Sequence, residues 1–166
     1  MTVIVHFGGQ KIMKPKKLSN KHESFIADYF GGKTVIASGA LYFAKGDVIT
    51  DNYLIECKAT EKDYYTLKKS VISKIRTEAI KCGRIPLLAI RVQDRDFIVH
   101  RMGDFMNGKE DLAGEFYLSS STKLNKEAFD LIEEKPYFVV TKEDFYIISS
   151  LDCFKEIEKN NWVEVM

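Results

Sequence analysis

A chain of 166 residues, 45% hydrophobic and 30% charged, can bury one core without disulfides or a structural metal. A formal net charge of +1 gives no global signal for a polyanionic partner, and Cys57, Cys82 and Cys153, odd in number and without metal-ligand spacing, argue against a disulfide framework or a zinc site. No apolar run approaches the roughly 20 residues of a membrane span, and the first ten residues lack the cationic lead-in of a signal peptide, so a cytoplasmic protein with reduced thiols is expected.

The charges are unevenly spread. Lys11, Lys14, Lys16, Lys17 and Lys21 precede any acid, and a second basic stretch runs from Lys68 through Lys74 and Arg76 to Arg91 with Glu78 the only acid in it. The acids gather toward the C-terminus. Such polarity is the kind of distribution that gives a molecule a basic face for phosphates.

In chain order, Thr2–Phe7 alternates as a short strand broken at Gly8 and Gly9, and Lys11–Lys17 reads as a basic arm. Ser19 or Asn20 caps a helix, with Glu23 at the capping-box distance from Asn20. Phe25, Ile26, Tyr29 and Phe30 form its apolar face, and Gly31-Gly32 ends it. Thr34–Ala37 is a short strand interrupted by Ser38-Gly39-Ala40. Lys45–Thr50 and Tyr53–Thr60 read as a hairpin turning at Asp51-Asn52. That register pairs 48 with 55, 49 with 54 and 47 with 56. Asp63 is expected to cap a helix to about Lys81, closed by Cys82-Gly83. Pro86–Val92 is a buried strand, followed through a turn at Gln93–Arg95 by Phe97–Met102. Glu115–Leu118 is a strand, Asn125–Glu133 a helix and Tyr137–Val140 a strand. Thr141 is expected to cap a helix over Lys142–Lys159. His22 and His100 have no partner at a recognisable spacing and read as structural. The alternation of strands and helices defines an α/β fold with a central mixed sheet flanked by helices.

The hairpin carries the chemistry. In the expected register Asp47 faces Glu56, with Cβ atoms roughly 5 Å apart, and Lys58, two residues on, shares that face. Two opposed carboxylates repel unless a cation lies between them. An oxygen-only pair suits Mg²⁺ or Mn²⁺, which can hold a phosphate oxygen and acidify a water. A lysine beside it can orient that water or offset developing charge. A solvent-facing charged row is the plainer account of the same alternation.

The stretch Gly46-Asp47-Val48 followed by Leu54-Ile55-Glu56-Cys57-Lys58 resembles the motif of the PD-(D/E)XK nuclease superfamily, with Gly46 where the namesake proline would stand. The preceding helix with Glu23, the short strand and the serine-glycine loop follow the same order. Within the superfamily the chain looks most like archaeal-type Holliday junction resolvases and their phage relatives. The resemblance covers about residues 19–102 of a single domain and implies a restriction-endonuclease-like core, with about 103–166 as an extension. It implies a Mg²⁺-dependent endonuclease on branched DNA, acting as a homodimer, inside the cell or in a host cell for a phage protein. Glu23, Asp47 and Glu56 would be metal ligands or water-positioning acids, Lys58 the catalytic lysine and Ser38 a loop residue near the scissile phosphate. Lys14, Lys16, Lys17, Lys74 and Arg76 are candidate DNA contacts, and the extension a candidate dimer surface. A restriction or repair-type nuclease acting on duplex or ends, and a DNA-binding module without turnover, stay open as alternatives.

Overall fold

The computed structural model describes residues 4–7, 10–13, 15–35, 46–105 and 112–165, with side chains described for 16–35, 46–105 and 112–160. Strands β1 (Ile4–Phe7) and β2 (Gln10–Met13) form a small antiparallel pair. Helix α1 (Pro15–Phe30) follows, then β3 (Lys33–Thr34), β4 (Val48–Ile49), β5 (Tyr53–Thr60), β6 (Tyr65–Lys68), α2 (Lys69–Lys81), β7 (Ile85–Val92) and β8 (Arg95–Arg101). After a 3-10 turn at Met102–Asp104 come β9 (Gly114–Tyr117), β10 (Ser121–Leu124), α3 (Lys126–Glu134), β11 (Tyr137–Val140), β12 (Phe145–Ser150) and α4 (Leu151–Val165).

Eight strands form one mixed sheet in the order β3-β4-β5-β7-β8-β12-β11-β9. β5 and β7 run parallel, as do β9 and β11, and the other neighbours are antiparallel. β6 and β10 pair separately as a two-stranded ribbon. The expected α/β architecture, a central mixed sheet flanked by helices, is the one observed.

The run Ile85–Val92 is apolar on both faces because both are covered. Leu87 and Ala89 join Ile55, Cys57 and Ile98 under Ile26 of α1 and Phe154 of α4. Leu88, Ile90 and Val92 turn the other way, toward Ile72 of α2 and Phe129 of α3. Leu54 meets Ile75 and Ala79 of α2 on that second face. Parity along β5 therefore sends Ile55 and Cys57 to the α1/α4 layer, and Leu54, Glu56 and Lys58 to the α2/α3 layer. The C-terminal residues are no appendage: β9, β11 and β12 complete the same sheet.

Several boundaries differ from expectation. α1 starts at Pro15, where the missing N–H of proline costs nothing, so Lys16 and Lys17 lie on a helix and not on an arm. Tyr65–Lys68 is a strand, and the following helix begins only at Lys69. Its pairing partner, Ser121–Leu124, lies more than fifty residues away, and local periodicity carries no trace of it. Lys142–Lys159 is not one helix, since Phe145–Ser150 is a strand. Thr141 caps no helix. Its hydroxyl donates to the Asp144 carbonyl and accepts the Asp144 N–H, closing the β11–β12 turn, while Ser150 Oγ accepts the Cys153 N–H at the start of α4.

Candidate active site at the edge of β4 and β5

The hairpin register is the expected one over its strand residues, Val48 with Ile55 and Ile49 with Leu54. The Thr50 N–H donates to the Tyr53 carbonyl across the Asp51-Asn52 turn. The expected pairing of Asp47 with Glu56 does not occur. The Asp47 N–H donates to the Ile55 carbonyl at 2.9 Å, although Ile55 is already the partner of Val48. Two residues thus stand against one, a bulge that re-aims the Asp47 side chain. The Asp47 carbonyl accepts the Val35 N–H at 2.9 Å, pinning the bulge from its other side.

Gly46 shows why the chain turns here. A Cβ at this position would lie 2.8 Å from Leu54 Cγ and 3.2 Å from the Ile55 carbonyl oxygen. Leu54 is fully buried and has no room to retreat. Among the described residues, no strand pairs with β5 beyond Ile55 on this side. The Cys57 N–H is instead satisfied by Asp47 Oδ2 at 2.8 Å. A side chain replaces a strand, and the acid is thereby fixed at the sheet edge.

From that edge Asp47 engages acids on both layers. Glu23 reaches it from α1, and Glu56 from the α2 side of β5. Burial, the Asp47 charge and a hydrogen bond shared with Asp47 push the Glu23 carboxyl up to about 7. Glu56 is pushed up to about 7 by burial and the Asp47 charge, opposed by Lys58 and Lys74. Three carboxyls this close cannot all ionise freely. Lys58 Nζ stands 3.9 Å from Glu56 Oε1, with its side chain 43% exposed, so its ammonium faces solvent and the acids together. The Cys57 thiol, behind the cluster, is driven upward by burial first and then by Asp47, Glu23, Glu56 and Asp96. It is a buried, inert thiol and not a nucleophile.

The structure thus brings together Glu23, Asp47, Glu56 and Lys58. Lys74, on α2, is exposed and close enough to lower the Glu56 carboxyl, with Glu78 at 4.0 Å. Arg76 points elsewhere, pairing with Asp144 at 3.0 Å beside Arg101. Lys16 and Lys17 are exposed on the first turn of α1. Ser38 and Lys14 lie outside the described residues.

Sequence reasoning missed one neighbour of the acids and one buried ion-pair cluster. Tyr65 borders Glu56, its phenol pushed up to about 12 by burial and by that charge. On the α1 side, Arg91 holds Asp96 through Nε and Nη2 at 2.9 and 2.8 Å, and fully buried His22 lies 3.5 Å from the same carboxylate. Burial would raise Asp96, but His22 and Arg91 hold it below the usual carboxylate range. The hairpin of β7 and β8 puts Arg91 opposite Asp96. The expected turn over Gln93–Arg95 would have set Arg91 against Phe97, but the turn takes only two residues and β8 begins at Arg95. The contact to His22 is tertiary and has no local signal.

The donor set fits a divalent cation of the hard class. Among the described residues no three His, Cys, Asp or Glu side chains form a ready-made cage. Mg²⁺ asks for less, one or two carboxylates with water and phosphate oxygens filling the remaining positions. Asp47 and Glu56 offer such a pair, and their mutual repulsion is what a cation would relieve.

No protein-family model and no curated protein matches the chain. Among solved structures it is similar to Archaeoglobus fulgidus Hjc, a Holliday junction resolvase from an archaeal hyperthermophile. The two are 12% identical, the match covers 68% of this chain and 92% of the other, and the TM-score is 0.44. Among the described residues no helix is long and apolar enough to cross a membrane.

Proposed function

We propose that this chain is a metal-dependent endonuclease of the PD-(D/E)XK type that hydrolyses phosphodiester bonds in DNA. The observation that carries the reading is the position of Asp47, hydrogen-bonded to the β5 main chain and engaged by Glu23 and Glu56, with Lys58 on the same strand as Glu56. Asp47 and Glu56 would hold Mg²⁺ or Mn²⁺, and Glu23 would position water beside them. The bound ion supplies charge neutralisation at the phosphoryl oxygens and an acidified water. Lys58 holds an ammonium where the attacking water and the developing negative charge would lie. Tyr65, beside Glu56, would screen the inner side of the cluster from bulk water.

The substrate we propose is branched DNA, four-way junctions above all, as the sequence resemblance implies. Symmetric cutting requires two copies of this site, hence a homodimer. The test is cleavage of a synthetic four-way junction with Mg²⁺, read at nucleotide resolution on all four strands. Paired symmetric nicks are expected, at rates well above those on linear duplex. Equal rates on duplex would remove junction resolution and leave a duplex- or end-directed nuclease. Tight junction binding with no cleavage under Mg²⁺ or Mn²⁺ would overturn the enzyme and leave a binding module.

A further inference from the structure

Beyond the acids, β5 leads directly into β6, which pairs with β10 in the register Lys68–Ser121, Leu67–Thr122, Thr66–Lys123 and Tyr65–Leu124. One face of this ribbon is core: Leu67 and Leu124 are buried, and Tyr65 packs against the same cluster. Alternation therefore turns Thr66, Lys68, Ser121 and Lys123 outward. Every outward side chain is a cation or a hydroxyl, and none is a carboxylate. At the end nearest Glu56, the Tyr64 ring carries two ammonium groups, Lys123 Nζ at 4.2 Å and Lys62 Nζ at 5.4 Å from its centroid. At the other end the ribbon runs into an open depression of about 460 Å³, lined by Lys68, Lys69, Ser70, Ser73 and the serine run 119–121. Lys69 is already paired with Glu143, so Lys68 and Lys123 are the principal cations on offer, with Lys62 beside them partly offset by Glu61 and Asp63 in the turn.

We propose that the outer face of the β6–β10 ribbon binds the phosphodiester backbone of the nucleic acid, carrying the strand away from the cutting site. The partner follows from charge complementarity. Lys68 and Lys123 are exposed on the ribbon's outer face and Lys62 beside it, and a phosphodiester strand is the polyanion that pairs with such a row of ammonium groups. Hydroxyls at Thr66, Ser121 and the serine run add neutral donors of the kind that contact phosphate oxygens without reading bases. The ribbon spans about 10 Å from Tyr65 to Lys68 at 3.3 Å per residue, enough for successive phosphates of one strand. β10 belongs to the C-terminal third, which gives that part of the chain a role in substrate binding. The inference takes its partner from the nuclease reading, but its geometry does not involve the acids.

The test uses the full chain carrying Asp47→Asn, in EDTA, with a fluorescein-labelled synthetic four-way junction as probe. Binding is followed by anisotropy across a salt series. Adding Lys68→Gln and Lys123→Gln together is expected to weaken binding about tenfold and to flatten the slope of log K against log salt by about 2, near 0.9 per lost phosphate contact. A control pair, Lys81→Gln with Lys159→Gln, removes the same charge from the C-terminal end of α2 and from α4, and is expected to change the slope far less. Unchanged affinity in the ribbon variant, or an equal loss in the control, would overturn the proposal. Both ribbon lysines are exposed, and an unchanged melting temperature excludes misfolding. Failure of the nuclease reading looks different: the protein with Asp47 restored would not cleave, yet the ribbon variant would still lose binding.

Discussion

Asp47 Oδ2 accepts the Cys57 N–H at 2.8 Å from a bulge, and not from a ladder position across from Glu56. An asparagine can accept the same bond through its carbonyl oxygen, so Asp47→Asn removes charge without removing the anchor. It is expected to lower Mg²⁺-dependent cleavage at least about 100-fold, while raising the metal-free melting temperature, since it relieves like-charge repulsion. At this chain length about 1 kcal/mol corresponds to roughly 2–4 °C. Junction cleavage and thermal unfolding in EDTA measure the two effects.

The same crowding sets a pH dependence. Glu23 and Glu56 are raised to about 7 from an ordinary 4.5. Between those values the folded protein binds more protons than the unfolded chain, so the stability these groups contribute is complete below about 4.5 and is lost as pH rises through 7. His100, depressed to about 4 by burial, acts oppositely and weakens the fold in acid. The difference between wild type and Asp47→Asn isolates the cluster. That difference is expected to widen from pH 5 to pH 8 in EDTA and to shrink when Mg²⁺ is added. A gap independent of pH would contradict the coupling.

On the nuclease reading proposed above, substitution of Lys58 separates chemistry from metal binding. Its ion pair with Glu56 is long and partly exposed, so Lys58→Met is expected to change stability by no more than about 0.5 kcal/mol. Cleavage is expected to fall about 100-fold, with the Mg²⁺-induced rise in melting temperature retained. Loss of that rise as well would move Lys58 from catalysis to assembly of the metal site.

Arg91 is a structural counterpart. Its guanidinium grips Asp96 through two bonds and lies 4.5 Å from the centroid of the Phe25 ring. Truncation leaves a largely buried carboxylate with His22 as its remaining ion-pair partner among the described residues. Arg91→Ala is expected to cost about 3 kcal/mol in urea unfolding, and Arg91→Lys to restore only part, because lysine lacks the two-pronged geometry.

The legible parts of the molecule were those written in short range. The turn at Asp51-Asn52 and the strand expected over Pro86–Val92 depend on neighbouring residues and are present, the strand one residue longer at its start. The helix expected over Asn125–Glu133 is present as Lys126–Glu134, with Asn125 as its cap accepting the Ala128 N–H at 2.9 Å. Glu56 and Lys58 share a face because strand parity requires it. What escaped were elements defined by remote partners. Tyr65–Lys68 and Ser121–Leu124 are strands only in each other's company, and Phe145–Ser150 is a strand because it bridges β8 and β11. The bulge at Asp47 escaped for a similar reason: its main chain is held by Val35 and Ile55 at once, so pairing rules for an isolated hairpin misplace it.

The close approach of Gly46 to Leu54 makes these two positions one unit of variation. Any residue with a Cβ at 46, proline included, calls for a smaller neighbour at 54. The Ile55 carbonyl, 3.2 Å from the same point, would also have to give, so a side chain at 46 is expected to disturb the β5 main chain even with position 54 trimmed.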